Sequence, residues 1–324
     1  MSSVTHLFAG EERRVAYELL GDAGPLACIV IHAGPGFTRE SLKPGMEVLA
    51  KRMPVMLIDL PGCGESSRHG AAGYSLEAYA ADVEAVRQEM GEGDAPVVLL
   101  GHGSGALVAA EYAARFPSKA AALILVNPLR ILNAAGPDPE AQQRQVDRVD
   151  PTLHDRFVKD VLPLVQPALE GEFAWEDLDR NPWWMEMIRT QWHGPVDPRW
   201  EAGMKRARLG MESYFAQKGA AMFNPESPWA KVDLADMLKG LKPAVGVIAS
   251  TSDANYVAPV KVHVAPLVER FAALPVQLIG DAGHFLPCER PEAFADAFMA
   301  MLGRLRAREP REHPPLSESH PTRP

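Results

Sequence analysis

Three short stretches of the chain combine residue types and spacings suited to acyl-transfer or proton-transfer chemistry. The first is Gly101-His102-Gly103-Ser104-Gly105, which follows the apolar run Val97 to Leu100 and precedes Ala106-Leu107. A strand, a sharp turn and a helix in that order form the setting that presents a nucleophile at the tip of the turn. Strand and helix approach closely there, so the residues two before and two after the tip must be small. A tip at position 103 puts Gly101 and Gly105 at those places, whereas a tip at Ser104 puts His102 and Ala106 there. His102 is too large for that role. The tip is therefore assigned to Gly103, and the position that would carry a nucleophile has no side chain. Ser104 remains as a displaced nucleophile that the steric argument disfavours.

The second stretch is Ile279-Gly280-Asp281-Ala282-Gly283-His284-Phe285, near the end of the chain. A histidine just after the last strand can lean over the turn at Gly103 as a general base. The third is Val247 to Ser250 followed by Thr251-Ser252-Asp253, where a carboxylate can bond the other imidazole nitrogen of that histidine and hold its tautomer. A glycine-rich loop, His32-Ala33-Gly34-Pro35-Gly36, follows an early strand and can offer backbone amides to an oxyanion. Its partner would be the amide after the tip, that of Ser104. The turn Asp59 to Ser66 reads as structural support for this loop, and Cys63 and Cys288 read as small buried thiols.

The elements that must position these residues alternate along the chain. A hairpin over 4–20 turns at Ala9-Gly10; strands are expected over Leu26 to His32, Val55 to Leu60, Val97 to Leu100, Ala122 to Val126, Ala244 to Ser250 and Val276 to Ile279. Helices are expected over Leu76 to Met90 with Ser75 as N-cap, Ala106 to Phe116, Val260 to Phe271 and Pro291 to Arg306. Strands alternating with helices imply a largely parallel sheet covered on both faces. Between about Leu129 and Lys231 the rhythm stops: no strand-like run occurs, and all six tryptophans lie there. The expected organisation is a core over 1–128 and 231–308, a helical insertion over 129–230, and a disordered proline-rich tail over 309–324.

Composition narrows the class of partner. The chain has 324 residues, a formal charge of -9, 47% hydrophobic and 23% charged residues. That acidic balance gives no electrostatic reason to bind nucleic acid or an anionic membrane surface. No signal-peptide pattern and no apolar run of membrane-spanning length is found, so cytoplasm is the expected location. Three widely spaced cysteines suit neither a disulfide framework nor a zinc site. No metal and no cofactor is expected, since no dinucleotide fingerprint occurs.

These motifs resemble those of the α/β-hydrolase superfamily, and more narrowly its proline iminopeptidase-like branch, over residues 4–128 and 231–306. His32 to Gly36 is similar to that branch's H-G-G-P-G loop, and Asp59 to Ser66 to its D-x-x-G-x-G-x-S turn. The resemblance implies an α/β-hydrolase fold with a mostly parallel central sheet, helices on both faces and an inserted helical cap. It puts the acid on Asp253, the histidine on His284 and the oxyanion amides on Gly34 and Ser104. The family's serine falls on Gly103, and Ser104 stands where iminopeptidases have tryptophan. Cap carboxylates that would recognise a free amino terminus have four candidates, Glu176, Glu186, Glu201 and Glu212.

Four accounts of Gly103 follow. In the first, glycine replaces a serine, and the native protein is a serine hydrolase of small esters, lactones or amides. In the second, the His284–Asp253 dyad works as a general base without a nucleophile, which opens lyase, decarboxylase, cyclase or cofactor-free oxygenase chemistry. Ser104 as nucleophile is the third, and a non-catalytic ligand-binding protein the fourth. His32 and His102 are expected to touch a small-molecule substrate. Trp183, Trp184 and Trp192 would wall an apolar or aromatic pocket, or merely pack the cap.

Overall fold

In a computed structural model of the protein, the residues described are 2–22, 27–89, 95–129, 155–161, 163, 164, 167, 170, 175–180, 182–219, 226–253 and 274–308. The helix expected over 260–271 and the tail from 309 lie outside them.

Eight strands form one sheet in the order β1-β2-β4-β3-β5-β6-β7-β8. β1 (Ser2–Phe8) and β2 (Glu11–Leu20) make the expected hairpin. Its two-residue loop has both positions at positive φ, Ala9 at 52° and Gly10 at 83°, as a tight twisted hairpin requires. β2 runs antiparallel to β4 (Val55–Ile58). From there the pairings are parallel through β3 (Cys28–Ile31), β5 (Val97–His102), β6 (Ala120–Val126), β7 (Ala244–Ser250) and β8 (Val276–Ile279). Every residue of β3, β4 and β5 is buried, as expected for parallel strands covered on both faces. β5 reaches two residues further than the sequence suggested, because Gly101 and His102 still pair with Leu125 and Val126 of β6.

One face is covered by α2 (Leu76–Gln88) and α3 (Gly105–Arg115), whose Val83, Val86, Leu107 and Tyr112 join Ile29, Leu99 and Leu123 in one apolar cluster. The Ser75 hydroxyl accepts the Ala78 amide at 3.1 Å and so starts α2 where expected. The other face is covered by α1 (Lys43–Leu49) and the long helix near the end of the chain, Pro291–Arg308, with Met46, Phe294 and Phe298 against Val30, Leu100 and Ile124.

Between β6 and β7 the described residues form only helical and irregular structure. The helices are α4 (Trp175–Asp179), α5 (Pro182–Arg189), α6 (Pro198–Arg206), α7 (Met211–Tyr214) and α8 (Leu234–Met237). Trp183, Trp184, Trp200, Met204 and Phe215 gather there into a third cluster, which also takes in Ala33, Phe37 and Phe285 from the core loops. The inserted helices thus pack onto the ends of β3 and β8, where the chemistry-bearing loops emerge. A short helix, α9 (Leu286–Glu289), directly follows His284 and leads into α10 (Pro291–Arg308).

Candidate active site

The turn after β5 has the geometry of a nucleophile elbow, with Gly103 at its tip in the left-handed region at φ 55°. Its amide donates to the Val126 carbonyl at 3.0 Å, and its own carbonyl accepts from Leu129 at 3.1 Å. The flanking glycines are required. A Cβ on Gly101 would lie 2.7 Å from Ala106 Cα, and one on Gly105 would lie 2.7 Å from the Ile31 carbonyl oxygen. Those are the close strand–helix approaches on which position 103 was chosen.

His284 stands opposite. Its Nδ1 donates to Asp253 Oδ2 at 2.7 Å, and both side chains are buried. With that proton committed to the carboxylate, Nε2 carries the lone pair. A Cβ built at position 103 would lie 3.1 Å from His284 Nε2 and 3.2 Å from Ala33 Cβ. The base nitrogen therefore faces the elbow tip. That spacing is tight, so a side chain at 103 would push His284 or Ala33 back by a few tenths of an ångström.

Ser104 is turned away from the base. Its hydroxyl donates to the Ala33 carbonyl, and the residue is 4% exposed. Its amide lies at the N-terminal end of α3 and has no acceptor among the described residues, which suits an oxyanion donor backed by the helix dipole. Gly34 is in a different state. It sits at φ 83°, and its amide donates to the His32 carbonyl at 2.6 Å, so of these two amides Gly34's already has an acceptor.

His32 and His102, expected to touch substrate, each have Nε2 engaged by the main chain. Both are fully buried. His32 Nε2 accepts the Leu60 amide at 3.0 Å and so holds the Leu60-Pro61 turn beside the loop. Burial pushes its basicity down to about 3, which keeps it neutral. His102 Nε2 donates to the His284 carbonyl at 2.8 Å, and its ring lies 4.4 Å from the His284 ring. Burial, and after it the neighbouring His284, holds His102 well below the usual histidine range.

The tryptophans differ among themselves. Trp192 stacks on Phe285 at 5.7 Å between ring centroids, and Phe285 contacts the His284 ring at 5.5 Å. Trp184 packs edge-on against Tyr214 at 5.0 Å, and Tyr214 Cδ2 lies 3.1 Å from where a Cβ on Gly36 would be. Trp183 packs against Trp184 at 4.7 Å, one ring further out.

Of the four candidate carboxylates, the three whose side chains are described are paired with cations. Glu186 meets Arg156, Glu201 meets Arg189 and Lys205, and Glu212 meets Arg68. The Glu176 side chain lies outside the description. Among the described residues no group of three His, Cys, Asp or Glu could hold a metal ion, and no helix is long and apolar enough to cross a membrane.

Asn127 escaped the sequence reading. It is buried at φ 42°, donates to the carbonyls of Gly283 at 3.1 Å and His284 at 2.9 Å, and accepts the Ser250 amide at 2.8 Å. The one local signal was an asparagine directly after a buried strand, a residue type that tolerates positive φ.

Comparison with known proteins bears on the fold and the family. A family model described as alpha/beta hydrolase fold matches residues 28–196. A proline iminopeptidase of Heyndrickxia coagulans is 33% identical over 117 residues, covering 36% of this chain and 40% of that relative. The chain therefore matches well under half the length of that relative. A proline iminopeptidase structure from Mycobacterium smegmatis superposes with a TM-score of 0.67 at 18% identity, covering 94% of this chain and 99% of that one. A thermophilic esterase from Thermogutta terrifontis superposes with a TM-score of 0.56 at 21% identity, covering 94% and 98%. Elbow, acid and histidine stand at the ends of β5, β7 and β8 of a sheet with this strand order, and the matched family model spans half the chain: this protein belongs to the α/β-hydrolase fold family, with its resemblance in the proline iminopeptidase-like branch.

Proposed function

We propose that this protein hydrolyses small esters, lactones or amides, with His284 acting as general base on water at the elbow tip. The observation that carries the reading is His284 Nε2 facing the tip at Gly103 while Nδ1 is tied to Asp253 at 2.7 Å. His284 takes a proton from water, whose oxygen attacks the acyl carbon. The carbonyl electron pair moves to oxygen, where the Ser104 amide stabilises it. Collapse expels the alkoxide or amine, which takes the proton back from His284 and leaves the free acid. A positioned base of this kind contributes roughly 10²–10⁴-fold, and one oxyanion donor roughly 10²–10³-fold.

The inserted helices act as a cap over this centre, with Trp192 and Phe285 giving the acyl pocket an apolar, aromatic wall. Pairing of Glu186, Glu201 and Glu212 with cations leaves those carboxylates poorly placed to receive a free amino terminus, which favours esters and lactones over peptides.

A second reading, covalent hydrolysis by a serine that glycine has replaced, is favoured by the left-handed φ of 55° at Gly103. One comparison separates the two: the unaltered chain, Gly103→Ser and His284→Ala on aryl esters and a proline arylamide. Burst-free turnover by the unaltered chain, lost in His284→Ala, supports the water mechanism. A burst from Gly103→Ser alone, with the unaltered chain inert, supports the covalent reading. A burst from the unaltered chain that Ser104→Ala abolishes overturns both.

A further inference from the structure

We infer that Glu289 is a positioning residue for His284, fastening the loop that carries the base to the cap. The inference rests on the reading of His284 as the base. Glu289 is the last residue of α9, five after His284, and its two carboxylate oxygens each accept one backbone amide. Oε1 takes Gly283 at 3.0 Å, and Oε2 takes His193 of the cap at 2.8 Å. Next to this bridge the His284 amide donates to the Gln191 carbonyl at 2.8 Å. The cap segment 191–193 is thus stitched to the residue pair Gly283-His284 by one direct bond and one carboxylate. The bonds to the carboxylate are charge-assisted, the stronger kind.

The contact is close enough to dictate sequence. A Cβ on Gly283 would overlap the Gln191 carbonyl oxygen and lie 2.8 Å from the His193 nitrogen and 3.0 Å from Glu289 Oε1. Glycine before the histidine is therefore a requirement of cap docking. On the opposite side the His284 carbonyl is held by His102 and Asn127, and the Gly283 carbonyl by Ser250 at 2.8 Å. The main chain of the base is gripped from the core by side chains and from the cap through Glu289. Asp253 fixes only the ring. A shift of the loop by about 1 Å carries Nε2 off line with the reacting atom, which is the scale of error that costs roughly 10²-fold in rate.

Glu289→Gln tests this with little change of size. Its side-chain amide has one oxygen to accept with, and its NH₂ must face the second N–H, so one of the two bonds is lost. Expected is a kcat lower by about 10- to 100-fold with KM within about two-fold. Two readouts need no turnover: a changed imidazole proton signal of His284 on its bond to Asp253, and faster hydrogen exchange at Gly283 and His193. Glu292→Gln, on an exposed carboxylate of α10 that pairs with Arg52, is the control and is expected to change none of these. If no ester is turned over by the unaltered chain, the hydrolase reading falls while the spectra still decide the role of Glu289. Unchanged His284 signals, exchange and kcat in Glu289→Gln, or equal changes in Glu292→Gln, overturn the inference.

Discussion

The two halves that meet at the site are held by different means. On the sheet side, backbone meets backbone: Gly101 pairs with Ile31 and Leu125 in adjacent strands while Ala106 of α3 lies against it. On the side of the inserted helices, two backbone bonds, from the His284 amide to the Gln191 carbonyl and from the Gly64 amide to the Arg208 carbonyl, both at 2.8 Å, are supplemented by side-chain contacts. Trp200 donates to the Ser41 carbonyl at 2.9 Å, Arg68 bridges Asp179 and Glu212, and Arg199 reaches Glu47 across the surface at 3.3 Å. Backbone contacts have no rotamers through which to relax, whereas an ion pair can reorient or exchange its partner for water. Gly103, Asp253 and His284 all belong to the sheet side, the more rigid half, and the inserted helices pack against the loops beside them.

The largest expected effect tests whether chemistry belongs to the rigid half. His284→Ala should lower kcat/KM on aryl esters by about 10²–10⁴-fold with an unchanged circular dichroism spectrum; full activity in that variant would break the comparison at its centre. Gly101→Ala should follow, because its Cβ would sit 2.7 Å from Ala106 Cα with nothing able to move aside. About 3 kcal/mol of stability should be lost in urea unfolding, and a loss below about 1 kcal/mol would show that strand and helix can part.

Acid should then separate the halves. His32 has a folded pKa pushed down to about 3 by burial, and His102 is shifted the same way. The unfolded chain takes up these protons below about 6.5, whereas folded His32 does not until near 3 and folded His102 is held back in the same direction. Their stabilisation is complete above about pH 6.5 and drains away as pH falls, by about 3 kcal/mol for His32 at pH 4.5. Burial shifts Asp179 and Glu212 upward, so these carboxylates near the inserted helices act in the opposite sense and gain from acid. Urea midpoints measured from pH 7 to 4.5 should fall, and His32→Gln should flatten the slope. The smallest effect belongs to Arg199→Ala, whose side chain is 68% exposed: within about 0.5 kcal/mol in the same assay.

Much of the sheet side was legible before any coordinates. Apolar runs of four to seven residues located six of the eight strands within two residues at either end, and the other two were read as one hairpin marked by Ala9-Gly10. The elbow was legible for a sharper reason: two glycines spaced four apart around Gly103 answer a steric demand of that turn alone. The histidines were not. His32, His102 and His284 all follow buried strands and look alike in sequence, yet His32 is bonded to the Leu60 amide, His102 to the His284 carbonyl, and His284 Nε2 lies 3.1 Å from a Cβ built at the tip.

Asn127, Gln191 and Glu289 were invisible for a related reason. Asn127 lies 156 residues from the Gly283 carbonyl it holds, and Glu289 lies 96 residues from His193. No local period or spacing encodes a partner at such distances; only the docking of one segment on another creates it. What the sequence by itself determined was the order of strands and turns and the places where only glycine fits, because those depend on neighbours within a few residues. The tertiary structure decided that His284 Nε2 lies beside the tip, which loop amides find acceptors, and which groups bond the main chain of Gly283 and His284. Those outcomes depend on which buried polar groups find partners once the core and the inserted helices have closed on each other.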